Sequence, residues 1–282
     1  MNRSFTKYVD KVLLQRDVTP DYAAKVRYCN RRFVRWLGYD PGIDGVNSDR
    51  VNEFLAELQK IGLRPDTVAG YRRAVLVVWN AAYQCGHNDV PPLRVRKIRC
   101  PREVVEAFEH GALRSLLAFV SNLADYLPNG VQRSTFWAGA IHAAYSTGLR
   151  RGDLLRVKRV QIATDGVAYV LQSKTGYPVT VRFSEPAIAA IDRMRVDERA
   201  LPWPYHENAL SRQFRRLVKE AGLCGQFRWL RRSAGSYAER EGQGNGTRLL
   251  GHRSERIFRD HYADPNIIQR KPPEPPPIGG GP

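Results

Sequence analysis

The sequence lacks the features that would place the protein in a membrane or in an oxidising compartment. No apolar run approaches the ~20 residues of a membrane-spanning helix, and residues 1–5 begin no signal-peptide core. The four cysteines are scattered, without a CxxC pair or a histidine at ligand spacing, which indicates reduced thiols and neither a zinc site nor a disulfide framework. There is no Gly-rich phosphate loop and no internal repeat, so neither a P-loop nor a solenoid is predicted.

What the sequence has in excess is positive charge. Its 45 Lys and Arg residues outnumber 28 Asp and Glu residues, which gives a formal net charge of +17 and a pI near 10.1. A charge of this size favours a polyanionic partner, either nucleic acid or an anionic membrane surface, and without apolar runs the membrane is the weaker candidate. At 282 residues the chain is long enough for one large or two ordinary domains.

Residues 1–97 have the periodicity of short helices joined by brief connections. Apolar residues recur at steps of three and four and predict helices at 8–14, 21–38, 48–62 and 65–86. Ser48 is suited to cap the third helix and Pro65 to begin the fourth. The pattern predicts an all-α bundle, followed by a basic segment at 90–99. That segment is either an interdomain linker lying against phosphates or a solvated tether.

In the second half of the chain, helical and strand periods both occur. Two strands at 167–171 and 179–183, joined by the turn 172–177, predict a small antiparallel hairpin. Predicted helices occupy 103–127, 135–146, 186–196, 209–221, 230–241, 248–250 and 255–262. The Pro/Gly-rich residues 266–282 have no capacity to pack and are predicted to be disordered. The expected fold is therefore mainly α, with an α+β domain at 98–265.

Residues 227–262 concentrate the groups that could carry chemistry. This stretch has eight arginines and only four acidic residues, and it ends on Tyr262. Arginines converging on a tyrosine indicate an anion held in front of a hydroxyl nucleophile, and the natural anion is a phosphodiester. Arg228 and Arg231 would share one side of a helix whose Leu230 faces the core, although a solvated basic face is the alternative. Tyr262 could equally be a packing tyrosine.

Three further candidates lie outside that run of arginines or at its edge. Arg150 occupies a Gly-flanked corner, where Asp153 could hold its guanidinium in a bidentate pair; the alternative is a surface arginine at a helix end. Lys174 lies in the hairpin turn and could hand a proton to a leaving oxygen, or could simply be solvated. His252 follows Leu250-Gly251, where a histidine more commonly caps a helix end.

Together these residues follow a recognisable order along the chain. The order is Thr147-Gly148-Leu149-Arg150-x-x-Asp153-Leu154-Leu155, a hairpin lysine, Leu230-Arg231, Leu250-Gly251-His252 and Tyr262. In this order the sequence resembles the catalytic domain of the tyrosine recombinases, also called the phage integrase family. Residues 21–86 are similar to that family's N-terminal core-binding domain, a SAM-like helical bundle. The resemblance implies a DNA-binding bundle at 1–97 and a catalytic tyrosine-recombinase domain at 98–265.

The resemblance also implies a role for each candidate. Arg150 and Arg231 would grip the non-bridging oxygens of the scissile phosphate, and His252 would donate a further hydrogen bond to it. Tyr262 would attack phosphorus to form a 3′-phosphotyrosyl bond, while Lys174 would protonate the departing 5′-oxygen. Since a tyrosine has an unperturbed pKa of ~10, it needs the positive charge that two guanidiniums supply. The implied enzyme needs no metal and no cofactor, because the phosphotyrosyl ester keeps the bond energy.

One residue departs from the family pattern. Three residues before the second arginine the family usually carries His or Lys, where this chain has Arg228. A guanidinium cannot accept the tyrosine proton, so that task falls to water or to another group such as His261. Arg228 could still hold phosphate electrostatically. Asp153, in place of the more frequent Glu, is a milder change.

The implied partners are double-stranded DNA and three further copies of the chain, forming a homo-tetramer in a synaptic complex with each duplex clamped between two domains. Accessory DNA-bending proteins are a further implied class, and the location would be cytoplasmic, at the nucleoid or in the host of a virus or mobile element. A catalytically degenerate DNA-binding protein of the same fold is one alternative, favoured by Arg228. A type IB topoisomerase-like relaxing enzyme is another. RNA binding has least support, since no RRM signature occurs.

Overall fold

The protein forms two compact units, Met1–Glu103 and Val104–Pro282. The computed structural model describes residues 4–101 and 103–268. Within this described part of the chain, no helix combines the length and the apolarity that crossing a membrane requires.

The described residues of the first unit form a bundle of four helices. They are α1 (Phe5–Gln15), α2 (Pro20–Leu37), α3 (Ser48–Lys60) and α4 (Pro65–Gln84). The α2 helix begins where the Thr19 side chain accepts from the Tyr22 amide, and it ends at Gly38, whose φ of 80° suits a residue without a Cβ. Ser48 was predicted to cap α3, but the cap is Asn47, whose side chain accepts from the Arg50 amide. Ser48 is the first helical residue instead.

The basic segment 90–99 belongs to the first unit and packs against its helices. Val95 is buried, and the Trp79 indole donates to the Val90 carbonyl at 2.8 Å. Arg72, which was predicted to point outward, donates to the carbonyls of Val95 and Arg96 at 3.1 and 2.8 Å. A freely solvated tether is therefore the wrong interpretation, because side chains of the bundle satisfy the segment's backbone acceptors.

The second unit is built around α6, most of whose residues from Phe136 to Thr147 are buried and which packs against the helices α5, α8 and α10. Its helices are α5 (His110–Ser121), α6 (Arg133–Thr147), α7 (Arg151–Arg156), α8 (Glu185–Arg193), α9 (Glu207–Glu220), α10 (Phe227–Glu241), α11 (Asn245–Leu249), α12 (Glu255–His261) and α13 (Pro265–Ile268). Phe136 and Trp137 of α6 pack with Trp203 and Phe214 in the centre of this core.

The predicted hairpin is present in the second unit. Strands β1 (Val167–Leu171) and β2 (Pro178–Arg182) are antiparallel, and Ala168 lies opposite Val181. Both of these side chains are buried, so their face of the hairpin is directed to the core. The expected mainly α fold with a small antiparallel sheet is confirmed.

Several stretches of the second unit differ from the prediction, among them residues 122–127, since α5 ends at Ser121. Residues 104–109 were predicted to be helical but belong to no helix or strand. There the amides of Ala107 and Phe108 donate to the side chains of Asp264 and Ser233, at 2.8 Å each. Partners distant in sequence thus replace the hydrogen bonds of a helix. The short α7 helix was not predicted, and of the tail predicted at 266–282, residues 269–282 lie outside the described residues.

Candidate active site

The second unit contains a cleft of ≈ 610 Å³ where several predicted site residues meet. The corner after α6 forms one wall, the face of α9 another, and the N-terminal turn of α10 and the end of α12 complete it. Its charged and ionisable lining includes Arg150, Arg215, Arg228, Arg231, His261 and Tyr262. The cleft is therefore strongly cationic, as an anion-binding site requires.

Arg231 is buried at the base of the site and connects three segments. Its side chain donates to the carbonyl of Gly148, and to that of Leu250 at 2.8 Å. The same guanidinium lies 3.1 Å from Nε2 of His252. With 5% of its surface exposed, Arg231 is not part of a solvated basic face. It holds the corner after α6 and the segment after α11 to its own helix.

Two glycines allow these segments to approach Arg231. Gly148 has a φ of 60°, and a Cβ there would lie 2.7 Å from Leu250 Cδ2. Gly251 has a φ of 61°, and a Cβ there would lie 2.6 Å from Nε2 of Gln172. Each position combines a left-handed backbone with close packing, and only a residue without a Cβ satisfies both. This explains why the sequence pattern has glycine at 148 and 251.

The backbone of Tyr262 is fixed from one side by α10. Ser236 Oγ donates to the Tyr262 carbonyl at 2.9 Å, and Arg232 Nε donates to the His261 carbonyl at 3.2 Å. On the adjacent face of α10, Arg231 lies with its Cζ 5.2 Å from the centroid of the Tyr262 ring. One helix therefore presents the arginine and holds the tyrosine segment beside it. Sequence reasoning missed Ser236 and Arg232, whose roles leave no spacing signal.

The electrostatics of the site favour a charged Arg231 and a neutral His252. Burial lowers the pKa of Arg231 to about 10, and the nearby Tyr262 opposes that shift, so the guanidinium is charged at neutral pH. Burial, with Arg231 and Arg150 close by, lowers the pKa of His252 to about 4. The ring centroids of His252 and Tyr262 lie 4.5 Å apart. In the neutral ring, Nε2 accepts from Arg231 and the proton belongs on Nδ1.

The pKa of His252 makes stability depend on pH. Between pH 6.5 and about 4 the unfolded chain binds more protons at this residue, so its contribution is full above pH 6.5 and is lost as pH falls to 4. Between pH 7 and 4 the wild type should lose about 1–2 kcal/mol more unfolding free energy than His252→Gln, since solvent screens the half-buried ring. Urea unfolding at several pH values measures this, with His206→Gln as the control. A difference that does not vary with pH would contradict it.

Arg150 is placed differently from the prediction. It was expected to form a bidentate pair with Asp153, but its Nη1 lies 4.0 Å from one carboxylate oxygen. Asp153 Oδ1 instead accepts from Arg156 and from both the amide and hydroxyl of Ser173, at 2.7–3.0 Å. The guanidinium of Arg150 donates to Oε1 of Gln172.

Gln172 is a site residue that the sequence did not reveal. It is 1% exposed although it begins an otherwise exposed turn. Besides accepting from Arg150, it donates through Nε2 to the Leu250 carbonyl at 3.2 Å. It therefore connects the hairpin to both arginines, because Arg231 donates to the same carbonyl. In the sequence, the feature that could have indicated its role is its position between β1 and the turn that carries Lys174.

The remaining two candidates are exposed. Lys174 lies at the tip of the hairpin turn and does not line the cleft, although its charge acts on His252. Arg228 lines the cleft in the first turn of α10 and, within the described chain, has no hydrogen-bond or ion-pair partner. The described residues include no group of three His, Cys, Asp or Glu that could hold a metal ion.

Solved structures of DNA-bound integrases share this fold. A lambda integrase dimer bound to a COC′ core site matches with a TM-score of 0.76 and 18% identity, over 92% of this chain and 94% of that one. A lambda integrase tetramer bound to a Holliday junction matches with a TM-score of 0.77 and 18% identity, over 96% and 78%. The Tn1549 transposon integrase in complex with circular intermediate DNA gives 0.68 and 15%, over 92% and 95%. No family model and no curated relative matches the sequence.

These matches define the class of fold. The chain has the fold of the tyrosine-recombinase integrases over most of its length, which confirms the resemblance seen in its sequence at the level of fold.

Proposed function

We propose that the protein is a site-specific DNA recombinase or integrase that cleaves and rejoins strands through a 3′-phosphotyrosyl intermediate. The observation that carries this proposal is the position of Tyr262. Its ring lies against Arg231 and His252 and lines the same cleft as Arg150. Because all four residues belong to one unit of one chain, a single subunit supplies both the nucleophile and the groups that bind the anion.

In the proposed cleavage step, the Tyr262 oxygen forms a bond to phosphorus as the bond from phosphorus to the 5′-oxygen breaks. Arg150 and Arg231 hold the non-bridging oxygens, and Lys174 gives its proton to the departing 5′-oxygen. Arg231 needs little reorganisation for this task, since the Gly148 and Leu250 carbonyls already fix it. In the rejoining step a 5′-hydroxyl attacks the phosphotyrosyl ester, and Tyr262 leaves.

The group that accepts the Tyr262 proton differs from the one that is usual in the family. Arg228 stands where His or Lys is usual, and a guanidinium cannot take a proton. His261 lines the cleft beside Tyr262, and water reaches the same cleft, so either can accept the proton. Arg228 then contributes only positive charge near the phosphate.

We infer further that the substrate is double-stranded DNA and that four copies assemble on it. The net charge of +17 supports a polyanionic substrate. The similar lambda integrase is described as a tetramer bound to a Holliday junction, and the other similar structures are also DNA complexes. A DNA substrate places the activity in the cytoplasm, at the nucleoid or in a host cell.

The test is a search for a covalent protein–DNA adduct. The protein is incubated with supercoiled plasmid in EDTA and quenched with SDS, and peptide mapping locates the attached nucleotide. We expect attachment at Tyr262, and sequencing of the attached DNA ends then identifies the cleaved linkage. An adduct on any other residue would overturn the proposal. Plasmid relaxation without a partner site or sequence preference would favour the topoisomerase-like enzyme.

A non-catalytic DNA-binding protein is the second candidate, and the specific observation that favours it is Arg228. We expect Arg228→His to raise the rate of adduct formation about tenfold or more, since a positioned general base contributes roughly 10²–10⁴-fold. The measurement is the single-turnover adduct rate near pH 7. Arg240→His, an exposed substitution on the same helix, is the matched control. If wild type and Arg228→His both bind DNA tightly without any adduct, the binding protein becomes the better description.

A further inference from the structure

The hairpin that carries Lys174 is attached to the His252 segment by an arginine–tyrosine stack. Arg253 directly follows His252, and its Cζ lies 3.5 Å from the centroid of the Tyr177 ring. This is a close cation–π contact between two side chains that have no part in the cleavage chemistry described above. Arg253 is exposed and Tyr177 is 37% exposed, so the contact contributes little to the core.

The stack supplies the second of two attachments on either side of Lys174. Before the lysine, Ser173 donates to Asp153 through its amide at 3.0 Å and its hydroxyl at 2.7 Å. After the lysine, the turn closes where the Gln172 amide donates to the Tyr177 carbonyl at 2.9 Å. Apart from the Arg253 contact, the second half of the turn is held from within the turn, by backbone hydrogen bonds and by Thr175, whose Oγ1 donates to Oε1 of Gln172 at 3.1 Å.

We propose that the Tyr177–Arg253 stack positions the turn so that Lys174 reaches the leaving 5′-oxygen. This inference rests on the proposed function and adds two positioning residues to it. A general acid must come within about 2.6–3.2 Å of the atom it protonates, so a loosened turn lowers the fraction of productive encounters. The aromatic face and the guanidinium are both needed, because the attraction arises between the ring's negative face and the cation.

The Tyr177–Arg253 stack is tested first without DNA. Amide hydrogen exchange of residues 172–179 is measured in the full-length wild type, Tyr177→Ala and Arg253→Ala. Exchange in this turn should accelerate about fivefold in both variants, the size expected for a partly exposed cation–π contact. Tyr169→Ala, which removes another exposed tyrosine from the same hairpin, should leave these rates unchanged. Unchanged exchange in both Tyr177→Ala and Arg253→Ala would overturn the proposal.

The positioning role is tested with a modified duplex. The cleaved linkage identified by adduct mapping is synthesised with sulfur in place of the bridging 5′-oxygen. When the Tyr262 oxygen bonds to phosphorus, the phosphorus–sulfur bond breaks, and sulfur leaves as a thiolate that needs no proton, since a thiol has a pKa of only ~8.5. A defect that acts through Lys174 therefore disappears on this duplex, whereas a defect in folding or DNA binding remains.

Adduct rates should separate the variants clearly. On ordinary DNA, Lys174→Ala should be slowed at least about 100-fold, and Tyr177→Ala and Arg253→Ala about tenfold, since general acid catalysis contributes roughly 10²–10⁴-fold. On the sulfur-substituted duplex, all three should come within about twofold of wild type. Tyr177→Phe should match the wild type on both duplexes. Arg256→Ala, which removes another exposed arginine of the same region, is the charge control and should behave like wild type.

Each other outcome is informative. Rescue of Lys174→Ala without rescue of Tyr177→Ala and Arg253→Ala would overturn the positioning role and indicate that the pair contacts DNA directly. Failure to rescue Lys174→Ala would overturn the acid role of the lysine, and the positioning claim with it. If the wild type forms no adduct, the proposed function fails. The exchange measurement still decides whether the Tyr177–Arg253 stack holds the turn.

Discussion

Tyr262→Phe is expected to abolish the covalent adduct while leaving DNA binding within about twofold of wild type. The substitution keeps the ring that lies against Arg231 and His252 and removes only the hydroxyl. Since the nucleophile itself is lost, the rate of adduct formation should fall by at least about 10⁴-fold. The measurement combines SDS-resistant adduct formation with a gel-shift titration of the same DNA.

Tyr169→Phe is the matched control for this prediction, because it removes a hydroxyl from an exposed tyrosine of the same unit. It should form the adduct at the wild-type rate. An adduct that persists in Tyr262→Phe would mean that another side chain attacks phosphorus; Ser211 also lines the cleft and would be the first residue to map.

Arg231→Lys is expected to have the second-largest effect and to act on both catalysis and stability. Lysine keeps the positive charge but cannot donate to the Gly148 and Leu250 carbonyls while also facing a phosphate. Loss of a fixed donor in the cleft should slow adduct formation by about 10²–10³-fold. The lost guanidinium hydrogen bond to the Gly148 carbonyl should lower the free energy of unfolding by about 1–3 kcal/mol, whereas the Leu250 carbonyl keeps its hydrogen bond from Gln172.

Single-turnover adduct rates and urea unfolding of the same preparations measure the two effects. Arg240→Lys, on the same helix but exposed, should change neither quantity appreciably. A rate for Arg231→Lys within threefold of wild type would show that charge alone suffices at this position, and the described hydrogen bonds would then have no catalytic role.

The sequence pattern predicted the helices of the first unit and most of those of the second. Where it failed, the cause was a partner distant in sequence. Residues 104–109 were predicted to be helical, yet the amides of Ala107 and Phe108 donate to the side chains of Asp264 and Ser233 instead. One of the two interpretations of the basic segment 90–99, a solvated tether, was wrong because Arg72 and Trp79 donate to its carbonyls.

In the candidate site, too, the sequence indicated residue types but not the contacts between residues distant in the chain. Through its resemblance to the tyrosine recombinases, the order of Arg150, Lys174, Arg231, His252 and Tyr262 predicted a phosphodiester-cleaving site. The order did not indicate that Gln172, rather than Asp153, accepts from Arg150, nor that Ser236 and Arg232 hold the Tyr262 segment. Such supporting contacts follow no fixed spacing, so no pattern in the chain reports them.

By itself, then, the sequence determined most of the helical periods, the hairpin, the excess of positive charge and the residue types available for chemistry, since these depend on residue type and local spacing. Only the tertiary structure decided which arginine is buried and charged, which histidine is kept neutral, and which side chains hydrogen-bond the segment of Tyr262 and the turn that carries Lys174. Those properties depend on burial and on hydrogen bonds between residues far apart in the chain, as the contact of Arg231 with Gly148 and Leu250 illustrates. They arise when the second unit folds around α6 and brings the separated segments together.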